Sequence, residues 1–173
     1  MTARRLVLLR HAKAEPARGE VPDDMRPLAL RGRSQAGAVG KAFSAAALVP
    51  DVALVSTALR TRQTWELLSS RLHDPSRVLL RLRPEIYEAS VADVLALVRG
   101  LDPQVGTVLV VGHEPTMAAT AAHLAGPGSD DAALAQVRVG VPTATWSLLE
   151  SDAEWADWGR GGARLAEVSR PGD

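Results

Sequence analysis

The strongest constraint on this chain is a set of short, unbroken apolar runs, each leading directly into polar residues. Leu6-Val7-Leu8-Leu9, Val52-Ala53-Leu54-Val55 and Val108-Leu109-Val110-Val111 show no polar alternation. A run of that length suits a strand buried on both faces, because each face of a sheet carries every second side chain. Between the runs, apolar and small residues recur at helical spacing. This predicts helices from Arg31 to Leu48 (stopped before Pro50), Leu59 to Leu72, about Val91 to Val98 (ended by Gly100 and Pro103) and Pro115 to Leu124. Val78 to Leu82 reads as a further strand, and Thr145 to Leu149 and Ala163 to Val168 as late strands compatible with antiparallel pairing. Residues 13–30, with Pro16, Pro22 and Pro27, read as a long surface loop, and residues 126–142, rich in Gly, Pro and Asp, as an irregular one. Alternating strands and helices imply an α/β fold with a mostly parallel sheet between helical layers, in one domain spanning residues 1–173.

The composition narrows the chemistry. Twenty basic residues balance twenty acidic ones, so no global field draws the protein to nucleic acid or to an anionic membrane. An anion site must therefore be a local cluster of cations. The chain has no cysteine, which removes disulfides, thiolate metal sites and a cysteine nucleophile together. Leu6 to Leu9 is too short for the apolar core of a signal peptide, and no other stretch approaches a membrane span. A cytoplasmic location is the expectation.

Three strand ends carry residues suited to phosphate. The first run leads into Arg10-His11, the second into Ser56-Thr57-Ala58-Leu59-Arg60-Thr61, and the last into Gly112-His113-Glu114-Pro115. Parallel strands bring such ends to one edge of the sheet, where α/β folds bind ligands. Guanidinium forks grip phosphoryl oxygens in pairs and keep their charge. A neutral imidazole is a nucleophile near pH 7, and a second, protonated one can donate to an oxygen that gains charge. The Thr61 hydroxyl and helix-start N–H groups would add donors. Taken singly, a histidine after a strand or an arginine on a helix is as readily structural; the pattern lies in their convergence.

These segments resemble the motifs of a known family. Leu8-Leu9-Arg10-His11-Ala12, Ser56 to Thr64 and Val111-Gly112-His113-Glu114-Pro115 are similar, in order and spacing, to the signatures of the histidine phosphatase (phosphoglycerate mutase-like) superfamily. Arg10-His11-Ala12-Lys13, Asp24-Met25-Arg26-Pro27-Leu28, Arg31-Gly32-Arg33 and Val141-Pro142-Thr143-Ala144 resemble its SixA-type phosphohistidine phosphatases. The resemblance implies a three-layer α/β/α sandwich around a mixed, mostly parallel sheet. It also implies catalysis by Arg10, His11, Arg60 and His113, with His11 transiently phosphorylated and no cofactor or metal. Ala12 stands where the family usually has Gly, and Ala14 and Ala17 where its mutases have Ser and Asn, which argues against a mutase. A general acid would fall in Pro84-Glu85-Ile86-Tyr87-Glu88, at Glu85 first and Glu88 second, unless this branch uses none. Arg26 either orders its loop by pairing with Asp23 or Asp24, or serves as a rim cation for the substrate phosphate.

Other features carry less. Gly40-Lys41 lacks the rest of a P-loop, His113-Glu114 does not continue as a zinc-binding helix, and no G-x-S-x-G elbow exists. His73 and His123 read as helix residues, and Trp146, Trp155 and Trp158 as packing for the late strands, with 155 and 158 alternatively a surface pair. The expected function is metal-independent phosphatase activity, with protein phosphohistidine as the preferred substrate class and no nucleic-acid or membrane partner. The alternatives are a small-molecule phosphomonoesterase of the same fold and a non-catalytic phosphate-binding module. Oligomeric state is not legible.

Overall fold

The computed structural model describes residues 2–172. Its strands are β1 (Arg4–Arg10), β2 (Val52–Val55), β3 (Leu79–Leu82), β4 (Thr107–Gly112), β5 (Trp146–Ser151) and β6 (Arg164–Ser169). Its helices are α1 (Leu30–Ala45), α2 (Leu59–Ser69), α3 (Val91–Arg99), α4 (Thr116–Leu124) and α5 (Asp131–Val139). The strands form one sheet in the order β3-β2-β4-β1-β5-β6. The first four run parallel, while β5 is antiparallel to both β1 and β6. No helix among the described residues is long and apolar enough to cross a membrane.

The unbroken apolar runs divide between two cores. Leu6, Leu8, Val52, Leu54, Val108 and Val110 pack beneath α3, α4 and α5. Val7, Leu9, Ala53, Val55, Leu109 and Val111 pack beneath α1 and α2. Alternate side chains thus fill opposite faces, and the result is the expected α/β/α sandwich. Trp155 and Trp158 stack at 4.9 Å and are buried in the first core, so they form no surface pair. Trp146 meets Phe43 edge-on at 5.1 Å in the second.

One expectation is overturned. Residues 126–142 are not irregular throughout, because α5 occupies Asp131–Val139. The Asp130 side chain caps it by accepting from the Ala133 N–H at 2.8 Å. Ala133 and Val137, one turn apart, are buried against the first core. Gly140, at φ +119°, then turns the chain out of the helix. The Gly and Asp residues that suggested a loop are the punctuation of a short helix.

Gly40 shows why the P-loop-like dipeptide is present. A Cβ there would lie 2.2 Å from the Leu68 carbonyl oxygen at the end of α2 and 2.8 Å from the Arg71 Cβ. The helices approach too closely at this point for any side chain. Ala normally favours a helix over Gly by about 1 kcal/mol, but overpacking against backbone costs roughly 1–3 kcal/mol. Gly40→Ala should therefore destabilise the protein in urea unfolding; a gain in stability would show that α1 and α2 separate freely here.

Candidate active site

The sheet register sets the site. Arg10 pairs with Gly112, and Val55 and Leu9 both pair with Val111. Hence β1, β2 and β4 end level, and His11, Ser56 and His113 emerge together. Two main-chain bonds continue the ladder, from His11 N–H to the Gly112 carbonyl and from Ser56 N–H to the Val111 carbonyl, both 3.1 Å.

The two imidazoles lie 5.4 Å apart between ring centroids. His11 is 8% exposed, and its Nδ1 lies 2.7 Å from the Ala12 carbonyl oxygen. A carbonyl can only accept, so Nδ1 carries the proton and Nε2 keeps the lone pair. Burial lowers the His11 pKa to about 4, with Arg60, Arg10 and Arg26 adding to the effect against the opposing Ala12 hydrogen bond. His113 is lowered to about 3, first by burial and then by His11 and Arg60. Both rings are therefore neutral near pH 7 until an anion joins them. His113 Nε2 meets the Ser56 hydroxyl at 2.8 Å, and its buried Nδ1 has no partner among the described residues.

The arginines are fixed by their surroundings. Arg10 donates from Nη1 to the Val141 carbonyl at 2.8 Å. Burial lowers its pKa while Glu114 opposes the shift. Glu114 also accepts from the N–H groups of Ala118 (2.8 Å) and Val141 (3.1 Å). One carboxylate thus ties α4 to the segment that holds Arg10. Arg60 is 6% exposed and donates to the Asp23 carbonyl (2.8 Å) and the Asp23 carboxylate (3.0 Å). The Nε atoms of Arg10 and Arg60 are buried with no partner among the described residues. Guanidinium groups of this kind are suited to binding a tetrahedral oxyanion.

The remaining expected residues fall differently. The Thr61 hydroxyl is fully buried and donates to the Ser56 and Ala58 carbonyls, both at 2.8 Å. It shapes the turn before α2 and is not presented as a phosphate donor. Arg26 orders its loop, donating to the Asp23 carboxylate at 3.0 Å and the Glu15 carbonyl at 2.7 Å. Glu85 is exposed, 4.0 Å from the Arg83 guanidinium, and Glu88 is exposed as well. The side chain that this segment brings to the histidines is Tyr87, edge-on to His113 at 5.5 Å. Its hydroxyl donates to Asp23. Asp23 and Tyr87 had no assigned role at the site in the sequence. Their signal was faint: one of two adjacent aspartates, and the chain's single tyrosine inside the segment searched for an acid.

No group of three or more His, Asp or Glu among the described residues is arranged to hold a metal ion. The site's capacity is for an anion: two fixed guanidinium groups, an imidazole bonded through Nδ1 to a carbonyl, and a second imidazole.

Comparison with known proteins agrees with this geometry. An uncharacterized protein of Mycobacterium tuberculosis is 38% identical over 94% of this chain and 99% of its own length. A structure of a candidate phosphohistidine phosphatase SixA from Nakamurella multipartitia is 34% identical, covers 100% of this chain and 99% of its own, and has a TM-score of 0.87. A second candidate SixA structure, from Agrobacterium tumefaciens, is 29% identical over 97% of this chain and 99% of its own, with a TM-score of 0.79. The family model of the histidine phosphatase superfamily (branch 1) matches residues 6–94, a segment that includes Arg10, His11 and Arg60. With His11 and His113 meeting at the ends of paired parallel strands, the chain belongs to the histidine phosphatase superfamily and has a SixA-like fold.

Proposed function

We propose that this protein is a metal-independent phosphatase that works through a phosphohistidine at His11 and acts on protein phosphohistidine. The observation that carries the proposal is the His11 tautomer: the Ala12 carbonyl holds the proton on Nδ1 and leaves Nε2 as a nucleophile. In the first step Nε2 attacks phosphorus, the bond to the leaving group breaks, and its electron pair leaves with that group. In the second step water attacks phosphorus, the bond to Nε2 breaks, and inorganic phosphate departs with the proton balance made by solvent. Arg10 and Arg60 hold the equatorial oxygens through both steps. The bound dianion favours protonation of His113, which then donates to the oxygen that gains charge.

The choice of phosphohistidine rests on the leaving group. An alkoxide needs a proton as its bond breaks. Glu85 is exposed beside Arg83, and Asp23 is held well below the usual carboxylate range by the Tyr87 hydroxyl, Arg60 and Arg26. Asp23 is therefore ionised and cannot donate. Imidazole leaves more easily and carries its own ring proton. The main chain between β3 and α3 adds only a single 3-10 turn, Pro84–Ile86, and so short a connection supports a substrate as large as a protein.

Three outcomes are expected. His11→Ala should lose turnover entirely, and acid-quenched wild-type enzyme should carry label on His11; wild-type turnover in the variant would refute the mechanism. On a panel of phosphohistidine proteins and phosphorylated metabolites, kcat/KM should favour phosphohistidine. Glu85→Gln should leave that activity within about threefold, whereas loss of a true general acid costs roughly 10²–10⁴-fold. Strong preference for an alkyl phosphate would instead assign a small-molecule phosphomonoesterase.

A further expected outcome concerns pH. Because the folded pKa values of His11 and His113 are depressed below 6.5, the unfolded chain takes up protons first as pH falls. Their contribution to stability is fully present above about pH 6.5 and is lost as pH falls through 4 towards 3. NMR titration of the imidazole resonances should give a midpoint near 4 for His11, rising when phosphate is added. A midpoint near 6.5 without phosphate would contradict the effect of burial on the ring.

A further inference from the structure

Arg60 already grips an anion that belongs to the protein. Its Nη1 donates to the main-chain carbonyl of Asp23 and its Nη2 to the Asp23 carboxylate. The same carboxylate oxygen accepts the Tyr87 hydroxyl, and the other accepts Arg26 Nε at 3.0 Å. One carbonyl oxygen and one carboxylate oxygen of Asp23 thus occupy the fork that two phosphoryl oxygens would take. The reason is electrostatic: a buried guanidinium cannot lose its proton, so its charge needs a partner.

Asp23 sits on a flap. Residues 13–29 leave β1 and return to α1, closed at the base by the Ala14–Leu28 bridge and by bonds from Glu15 N–H to Pro27 (2.8 Å) and Ala29 N–H to Lys13 (2.9 Å). The Leu28 N–H is held by the Gln63 side chain at 2.8 Å. The base is thus fixed to the body of the protein. The tip, residues 16–25, is exposed throughout, and Asp23 ties it to Arg60 and Tyr87. The Asp23 side chain itself is 53% exposed, so it can swing out without opening a core.

We propose that Asp23 is a positioning residue that holds the Arg60 fork until a phosphoryl group takes it, and that surrender of this contact releases the tip of the flap. The proposal rests on the phosphatase reading above. A phosphoryl dianion brings twice the charge of a carboxylate and can offer the Arg60 fork two of its own oxygens. Asp23 offers Arg60 one carboxylate oxygen and one carbonyl. The exchange therefore favours the dianion, at an apparent affinity reduced by the fraction of molecules in which Arg60 is free.

The test uses the full chain, with binding of inorganic phosphate and vanadate measured by titration calorimetry. Hydrogen exchange is followed at the amides of Val21, Met25 and Arg26, which are bonded within the tip. Asp23→Asn should bind both anions more tightly, by about fivefold if the half-exposed pair is worth ~1 kcal/mol, with the change in KM larger than that in kcat. In the wild type, saturating phosphate should speed exchange at the three amides, and in Asp23→Asn they should exchange fast with or without it. Tyr87→Phe, which loosens the same carboxylate and spares the Arg60 charge, should move both readouts in the same direction by less. Weaker anion binding in Asp23→Asn, or slower tip exchange when phosphate binds, would overturn the proposal and make Asp23 a permanent brace. If the wild type binds neither anion, the phosphatase reading itself fails; if it binds them and the flap does not respond, only the role of Asp23 fails.

Discussion

A buried arginine, Arg60, and a half-buried one, Arg10, keep their charge at one edge of a sheet, and the rest of the site is arranged around them. Arg10 and Arg60 bring fixed positive charge next to two imidazoles whose rings lie 5.4 Å apart. Four cations gathered in one partly buried site would repel one another. The groups that can give way are the histidines, and both are pushed to the neutral form. Burial does most of this, and the nearby guanidinium groups add to it. In the proposed mechanism a bound phosphoryl group reverses the balance and favours a protonated His113.

The scaffold contains these charges by committing small polar groups to the backbone. The Thr64 hydroxyl donates to the Arg60 carbonyl at 2.7 Å and accepts from the Ala12 N–H at 3.0 Å, linking the first turn of α2 to the residue after the nucleophile. Thr61 closes the turn from Ser56 to α2. Glu114 offsets Arg10 electrostatically and pins the segment whose carbonyl orients it. Asp23 plays the corresponding part for Arg60, with one difference: Glu114 is anchored by backbone N–H groups beside α4, whereas Asp23 rides on an exposed flap. One counterion is fixed and the other is placed where it can move.

The legibility of the fold followed the strength of its local signals. The unbroken runs at 6–9, 52–55 and 108–111 suited strands buried on both faces, and they form them. The segment 126–142 misled because composition outweighed position. Glycine and aspartate there mark the two ends of α5, and the buried pair Ala133 and Val137 is too short a periodic signal to stand out. Edge strand β3, with Leu79, Leu80 and Leu82 exposed, shows the complementary point: an apolar run does not by itself say that a strand has neighbours on both sides.

For the site, the sequence by itself determined what is local and chemical. It placed His11, Arg10, Arg60 and His113 just beyond the ends of apolar runs, and parallel topology then required those ends to share an edge. Tertiary structure alone decided what each polar group touches. Thr61 turned inward because the turn before α2 leaves two carbonyls that need a donor, and Glu85 faced solvent because its 3-10 turn presents Tyr87 to the histidines instead. Asp23 and Tyr87 lie 64 residues apart and meet through a single hydrogen bond. Nothing in the spacing of either residue encodes that meeting, because it depends on where a flap from β1 and a turn after β3 come to rest over α2.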